Sequence, residues 1–596
     1  GWDGLRLLGL AHERGRSIAV EWADDRIAAL VSSDGRRVDY GYDEAGRLVA
    51  VSTDGATRRY GWNAAGLIES VTDADGVAEA VNTYDEQGRV VTQVSRHGRT
   101  TRFSYLPGRV TVVADTDGSR SNTWLHDDKG RLVGVVDAHD QRQSMAYDAH
   151  GQLVMATGRD GSVTLAEFDA RGRRTTQVLP SGARVDTVYD EADRPVEVVV
   201  DNDGDLATTT YAYEGTDRNP SRMVDAEGGV TTLAWDGNLL TAITDPAGVT
   251  VTHTYDAHGD LVATTDADGN AARLERDDAG RVTAAITPSG HRTTFSYDAR
   301  GALASKTTPD GAVWAYEFTA GGRATATTDP YGHRTTIERD EAGEAHRTTD
   351  PLGRTVTREF DALGNLARVE LPDGSAWEYA HDTLSRLVAV TSPEGGTWRQ
   401  EYDVNGGPTR TTDPTDHVVE STRSPGGAVS TTVGDSTAVV RTDTLGRIVS
   451  VQAPDGGSRL TRHDRCGRPV EYVDALGHVT SLERDIAGRL VGLRRPDGST
   501  TRYAWNRCGR LQSVTDPLGA TTTFTYTADG HLATETDATG AVTRYDYDAL
   551  GRTVARTAPG LGRSTWTFDL AGRVVGLRDR MWGARTFRYD AAGQLV

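Results

Sequence analysis

One phrase recurs along the whole chain at a fixed interval, and that interval constrains the fold more than any other feature. It reads Tyr-Asp-Glu-Ala-Gly-Arg-Leu at Tyr42–Leu48, Tyr-Asp-Glu-Gln-Gly-Arg-Val at Tyr84–Val90 and Trp-Asn-Arg-Cys-Gly-Arg-Leu at Trp505–Leu511. The motif glycine stands at Gly446, Gly467, Gly488, Gly509, Gly530, Gly551, Gly572 and Gly593, each 21 residues after the last. The same step links Gly259, Gly280, Gly301, Gly322, Gly343, Gly364, Ser385 and Gly406. Spacing is looser through Gly4, Asp25, Gly46, Gly66, Gly88, Gly130, Gly151 and Gly172, with weak copies around Asp193, Glu214 and Gly427. From Gly4 to Gly593 the period predicts about 29 units. The expected organisation is one repeat domain over residues 1–596, itself a fragment or processed piece of a larger chain.

Each unit carries a second mark half a period away, as in Asp245-Pro-Ala-Gly248, Asp516-Pro-Leu-Gly519, Asp310-Gly311, Asp373-Gly374 and Asp497-Gly498. Glycine supplies the positive φ of a tight turn, and aspartate can bond the backbone two residues on. Between the turns lie short runs of Thr, Val, Tyr, Phe and Trp, which favour strands. In the run after Ala520, the alternation places Thr522, Phe524 and Tyr526 on one face and Thr521, Thr523 and Thr525 on the other. Aromatic pairs two residues apart recur at Phe295/Tyr297, Tyr503/Trp505, Tyr545/Tyr547, Trp566/Phe568 and Phe587/Tyr589. One unit is therefore a β-hairpin that runs into the next. In this reading the aromatic pins a face, Asp caps the turn, Gly makes it, and Arg-Leu starts the return strand.

Hydrophobic residues make up 37% of the chain, which suits a sheet one layer thick better than a two- or three-layer domain. The net charge of −21 excludes a basic nucleic-acid-binding face. No apolar run is long enough to cross a membrane. The two cysteines, Cys466 and Cys508, are 42 residues apart and both precede a motif glycine. They are too few for a zinc site without histidine help, and their turn position predicts exposed, free thiols.

The usual carriers of chemistry are missing from the sequence. It has no Gly-x-Ser-x-Gly, no Gly-Lys phosphate loop, no His-Glu-x-x-His and no dinucleotide fingerprint. Histidines such as His150, His258, His333 and His478 sit beside turns and read as solvated. Turn aspartates raise the question of calcium, but successive carboxylates fall at opposite strand ends, where they cannot converge on one ion. Acidic residues number 86, so no pair stands out as an acid–base couple. The expectation is no enzyme, no catalytic, cofactor-binding or metal-ligating residue, and no cofactor.

The Tyr-Asp-x-x-Gly-Arg-Leu unit resembles the YD repeat of the Rhs family, and the resemblance covers essentially the whole chain. That family includes bacterial polymorphic toxins, the C components of insecticidal toxin complexes, and animal teneurins. The resemblance implies an antiparallel sheet spiralled into a hollow shell that, in the bacterial members, encloses a C-terminal toxin often released by self-cleavage. The family's terminal Asp-Pro-x-Gly-Leu signature is not found. The Asp-Pro-Leu-Gly stretches at Asp350–Gly353 and Asp516–Gly519 run into Arg354 and Ala520, as ordinary repeats do. No protease residue is therefore carried over. The implied partners are an enclosed C-terminal toxin domain and an N-terminal delivery domain of the same protein. The shell itself is expected to be secreted and monomeric, with no nucleic acid and no membrane span.

Elementary geometry points the same way. About 58 strands at roughly 4.8 Å make a ribbon about 280 Å wide, whereas open sheets rarely exceed about ten strands without curling. Curled shut, the ribbon encloses a radius of roughly 20 Å. A compact domain of about 100 residues has a radius of gyration of about 13 Å, so one modest domain is expected to fit. The alternative fold is a pair of β-propellers, since two units approximate one four-stranded blade. A propeller predicts a 42-residue signature, however, and only the 21-residue one is seen. The function expected is a non-catalytic encapsulating shell of a secreted Rhs-type toxin. The alternative is an extracellular, wall-associated recognition protein.

Overall fold

The computed structural model describes residues 1–424, 428–581 and 583–596. The weak repeat copy at Gly427 lies outside them. The described residues form 58 strands and no helix. Two short strands, Trp2–Asp3 and Arg6–Leu7, make a separate hairpin. The other 56 form one antiparallel sheet from Gly9–Ala11 to Gly583–Thr586. Within it each strand pairs with its neighbours in the chain, from the first ladder to the last. This unbroken pairing leaves no separate four-stranded blades, so the propeller alternative fails.

A unit near the C-terminus shows how the sequence builds the sheet. Thr521–Tyr526 pairs with Leu532–Thr536 on one side and with Leu511–Thr515 on the other. Both turns of a unit close in the same way. At the motif turn, Asp548 N–H donates to Arg552 O and Gly551 N–H to Asp548 O, both at 3.0 Å. At the opposite turn, Asp516 N–H donates to Ala520 O and Gly519 N–H to Asp516 O. Closure needs a left-handed fourth residue, and Gly551 and Gly519 supply φ of 77° and 88°. Asp193, Ser385, Asp140 and Asp416 adopt the same φ, between 59° and 65°, without being glycine. What sets the motif turn apart is a register shift at its aromatic, as between Asp546 and Tyr547. Such a bulge raises the local twist and bends the ribbon once per unit.

The sheet has two chemically distinct faces. One carries the aromatic rows, including stacked Trp377 and Trp398 with ring centroids 6.1 Å apart. The other carries cross-strand ion pairs such as Arg334–Glu317 and Arg563–Asp546.

The ribbon also winds on itself. His258 meets Arg14, Gly321 meets Asp75, Asn405 meets Asp160, Cys508 meets Asp268, Leu570 meets Tyr331 and Gln594 meets Arg354. These pairs are 239 to 246 residues apart. At 21 residues per unit, one coil is about eleven and a half units, or about 23 strands. The half unit has a physical cause. The bottom turns of one coil must meet the top turns of the next, and the two kinds of turn lie half a period apart. A coil of about 23 strands at ~4.8 Å gives a wall radius of about 18 Å, slightly tighter than the ~20 Å expected from the sequence.

Candidate functional site

The motif residues make a clamp between neighbouring units. Asp548 Oδ1 accepts the N–H groups of Leu550 and Arg552, and Oδ2 accepts Arg552 Nε at 2.6 Å. The same guanidinium lies over the Phe568 ring of the next unit, 4.6 Å from its centroid. Arg89 covers Tyr105 in the same way at 4.3 Å. Tyr105 in turn donates its hydroxyl to Val90 O at 2.9 Å. A motif with this arginine therefore ties its own turn, and then the following one, with a cation–π contact of about 0.5–1 kcal/mol at such exposed sites.

Between coils runs a seam, where the second turn of one coil meets the motif turn of the next. Its strongest joint follows from one departure from the motif. Thr319 stands where the motif has Asp, so Arg323 has no carboxylate in its own turn. It reaches across the seam instead, to Asp73 at 2.6 Å and to Asp75. Asp75 also accepts the Thr319 hydroxyl at 2.8 Å and Gly321 N–H at 2.6 Å. Burial pushes both carboxyls up. The Arg323 guanidinium and the Val77 N–H outweigh this at Asp73, and the Gly321 N–H and Thr319 hydroxyl do so at Asp75. Both are held below the usual carboxylate range.

A second departure, Asn506 for Asp, has the same consequence. Arg510 turns to Asp266 at 3.4 Å, and Arg507 pairs with Asp268. Arg552 keeps its own Asp548 and shares a second nitrogen with Asp310 across the seam at 3.2 Å.

The cysteines divide here. Both are free thiols, and Cys466 is exposed as expected. Cys508 is half-buried in the seam and donates its Sγ–H to Asp268 Oδ2 at 2.8 Å. Burial first, and then the Asp268 carboxylate, push its pKa up to about 11. The expectation of two equally exposed thiols is therefore corrected. Asp266, Asp268 and Cys508 bring ligand atoms within 4.8 Å of one another. Two arginines and a held proton already serve them, so a cation would have to displace Arg507 and Arg510.

Of the turn histidines, His333 and His478 bond the aspartates of their own turns, Asp329 and Asp474. His258 bonds Arg14 O across the seam at 2.9 Å, a contact that its turn position alone did not reveal. Beside the seam lies a groove of about 470 Å³, lined by Leu261, Leu274, Ile286 and Pro288 and by Asp529 and His531 of the next coil. Asp529 is committed there to Ser289 N–H at 2.8 Å. The structure thus gathers its singular side chains into a lock between coils.

The RHS Repeat family model matches twelve stretches, ten of them overlapping a neighbour, which together span 22–57, 235–271, 276–334, 339–418 and 463–580. Together these cover more than half of the chain. The Teneurin YD-shell model matches residues 63–242. Among solved structures, the Photorhabdus luminescens Tc holotoxin pore is similar over 98% of this chain and 35% of that one, at 14% identity and a TM-score of 0.52. The TcdB2-TccC3 crystal structure is similar over 98% and 43% respectively, at 12% identity and a TM-score of 0.54. The chain thus spans well under half the length of these structures, and the likeness is one of fold. No curated protein matches it. Among the described residues no helix is long and apolar enough to cross a membrane.

Proposed function

Since this chain belongs to the RHS repeat family, we propose that it is the non-catalytic encapsulating wall of a secreted toxin of the Rhs type. The single observation that carries this reading is the seam. A sheet of 56 strands is wound so that successive coils are stitched turn to turn, which makes a wall rather than an open ribbon. The clamp and seam residues are consumed in holding that wall, and on this reading none acts on a substrate. Residues 1–596 form a single repeat domain of the longer protein, and the enclosed toxin and the delivery segment are its other parts.

The lumen also bears on the cargo. A compact domain of about 100 residues has a radius of gyration of about 13 Å, and its surface lies farther out. A wall radius of about 18 Å limits an enclosed part to about the size of one small domain across the lumen.

The test is limited proteolysis of the complete gene product, with and without seam variants such as Arg323→Ala combined with Arg552→Ala. Segments encoded beside the repeats should resist protease in the parent and be cut in the variant. Equal digestion of the two would overturn the container reading. The match to the Teneurin YD-shell favours a second reading, in which the wall presents a recognition surface outside the cell. That reading predicts binding to intact cells and no protected segment.

A further inference from the structure

The groove of about 470 Å³ in the seam has a smaller twin. The first is lined in part by Ala272, Ala285, Thr293, Pro309, His531 and Leu550. The second, of about 240 Å³, is lined by the residues 42 positions later, Trp314, Thr327, Thr335, Pro351, Arg573 and Ala592. The two lie at the same kind of joint, two units apart, and differ about twofold in free volume.

Two replacements remove the bulk. Ala272, which is exposed, stands where the twin has the indole of Trp314. His531 stands where the twin has Arg573, and each stacks on the tyrosine of the next unit. The His531 ring is 4.8 Å from Tyr547, and the Arg573 guanidinium is 4.8 Å from Tyr589. Leu550 in place of Ala592 returns some volume, yet the groove stays open. Cross-strand pairing puts Thr264 beside Ala272, Leu274 beside Ala285 and Ala285 beside Thr293, so these five share one face. Arg273 belongs to the opposite face, across from Ala263 and Ile286. Asp529 is already bonded to Ser289 N–H at 2.8 Å, with His291 Nδ1 3.6 Å away. A guest on the Ala272 face therefore meets mainly apolar surface and need bring no charge.

We propose that this groove binds a small, uncharged, planar aromatic molecule of the indole class. The guest takes the place over Ala272 that the Trp314 side chain takes in the twin. It packs against Leu274 and Leu550, at the edge of the His531–Tyr547 stack. A concave, mostly apolar site with a few fixed polar groups is the usual form of a small-molecule pocket, and aromatic rings gain from edge or offset stacking. The groove is a gap in an interface that the two coils have already formed, so the guest completes its packing without moving either coil. Binding to the folded wall alone stabilises it by mass action. The inference rests on the comparison of two joints and stands whether or not the wall encloses a cargo.

The experiment is equilibrium dialysis of indole against the 596-residue chain, with circular dichroism melts at increasing indole. The parent should take up one equivalent saturably, and its melting temperature should rise with indole. Cyclohexanol should not compete. Ala272→Trp fills the groove from within and should abolish the uptake. Should that variant not fold, His531→Arg, which restores the motif residue, reads the same site and should weaken it. The reverse exchange, Trp314→Ala with Arg573→His, opens the twin and should add a second equivalent. No saturable uptake by the parent would overturn the proposal. So would undiminished uptake in a folded filled variant, equal competition by cyclohexanol, or a folded reverse variant that still takes one equivalent.

Discussion

Arg323 and Asp73 are 250 residues apart in the chain and 2.6 Å apart in the structure. Both are largely shielded, with side chains 21% and 11% exposed, and Arg323 holds Asp75 as well. Replacing Arg323 by Ala removes the cation from two half-buried carboxylates. The expected loss is about 1–3 kcal/mol, the worth of a charged hydrogen bond and the cost of stranding its partner. By contrast Arg347, 3.9 Å from Glu338 on the charged face, pairs in open solvent. Its replacement by Ala should change little. Urea midpoints of the two variants check the order, and equal losses would mean that the seam adds nothing to the sheet.

The seam should also respond to acid in a definite direction. Asp73, Asp75, Asp266, Asp268 and Asp310 are all held below the ordinary carboxylate range. A group whose folded pKa is depressed contributes stability that is complete above its unfolded value of about 4 and is lost as pH falls through the folded value. Coil-to-coil protection from protease should therefore be flat from neutrality down to about pH 5 and fall below about pH 4. Loss of protection between pH 8 and 6 would contradict this account.

The local structure was legible because its causes are local. Tyr42, Asp43, Gly46 and Arg47 settle a turn and its neighbour by contacts within one period, and repetition restates the answer. The seam was not legible, because its 240-residue spacing depends on how many strands close a coil. That number follows from the twist added by each bulge, which no single unit states. Traces were nonetheless present. Thr319 and Asn506 break the motif where Arg323 and Arg510 leave their own turns, so departures from the repeat marked the joints. The position of Cys508 beside a turn glycine suggested exposure, as it did for Cys466; the neighbouring coil meets both turns, through Glu227 at Arg465 and through Asp268 at Cys508 itself.

The left-handed turn position offers a test of strain. Ser385 holds φ of 62° where most motifs hold glycine. A non-glycine residue there costs about 1–2 kcal/mol, part of which glycine returns as unfolded-state entropy. Ser385→Gly should thus stabilise by about 0.5 kcal/mol. Gly551→Ala should do the opposite and more strongly. Its new Cβ would sit 2.7 Å from His531 Nε2, on a ring stacked against Tyr547 at 4.8 Å. A loss of about 1–2 kcal/mol is expected in thermal unfolding. A stabilised Gly551→Ala would show that the turn closes differently.

The two thiols separate the wall from a simple ribbon. In a ribbon, Cys466 and Cys508 occupy equivalent turns two units apart and should react alike. Four strand spacings, about 19 Å, divide them, too far for a disulfide, which needs Cα atoms within about 7 Å. Both should therefore count as free under non-reducing conditions. In the wound sheet Cys508 is half-buried, with its proton held by Asp268 and its pKa pushed up to about 11. The thiolate is the reactive form. At neutral pH a maleimide should modify Cys466 quickly and Cys508 slowly, with one equivalent in each phase. Asp268→Asn removes the charge that disfavours the thiolate, so it should speed the slow phase and leave the fast one unchanged. Equal rates in the parent, or a slow phase indifferent to Asp268, would mean that the coils do not meet at this turn.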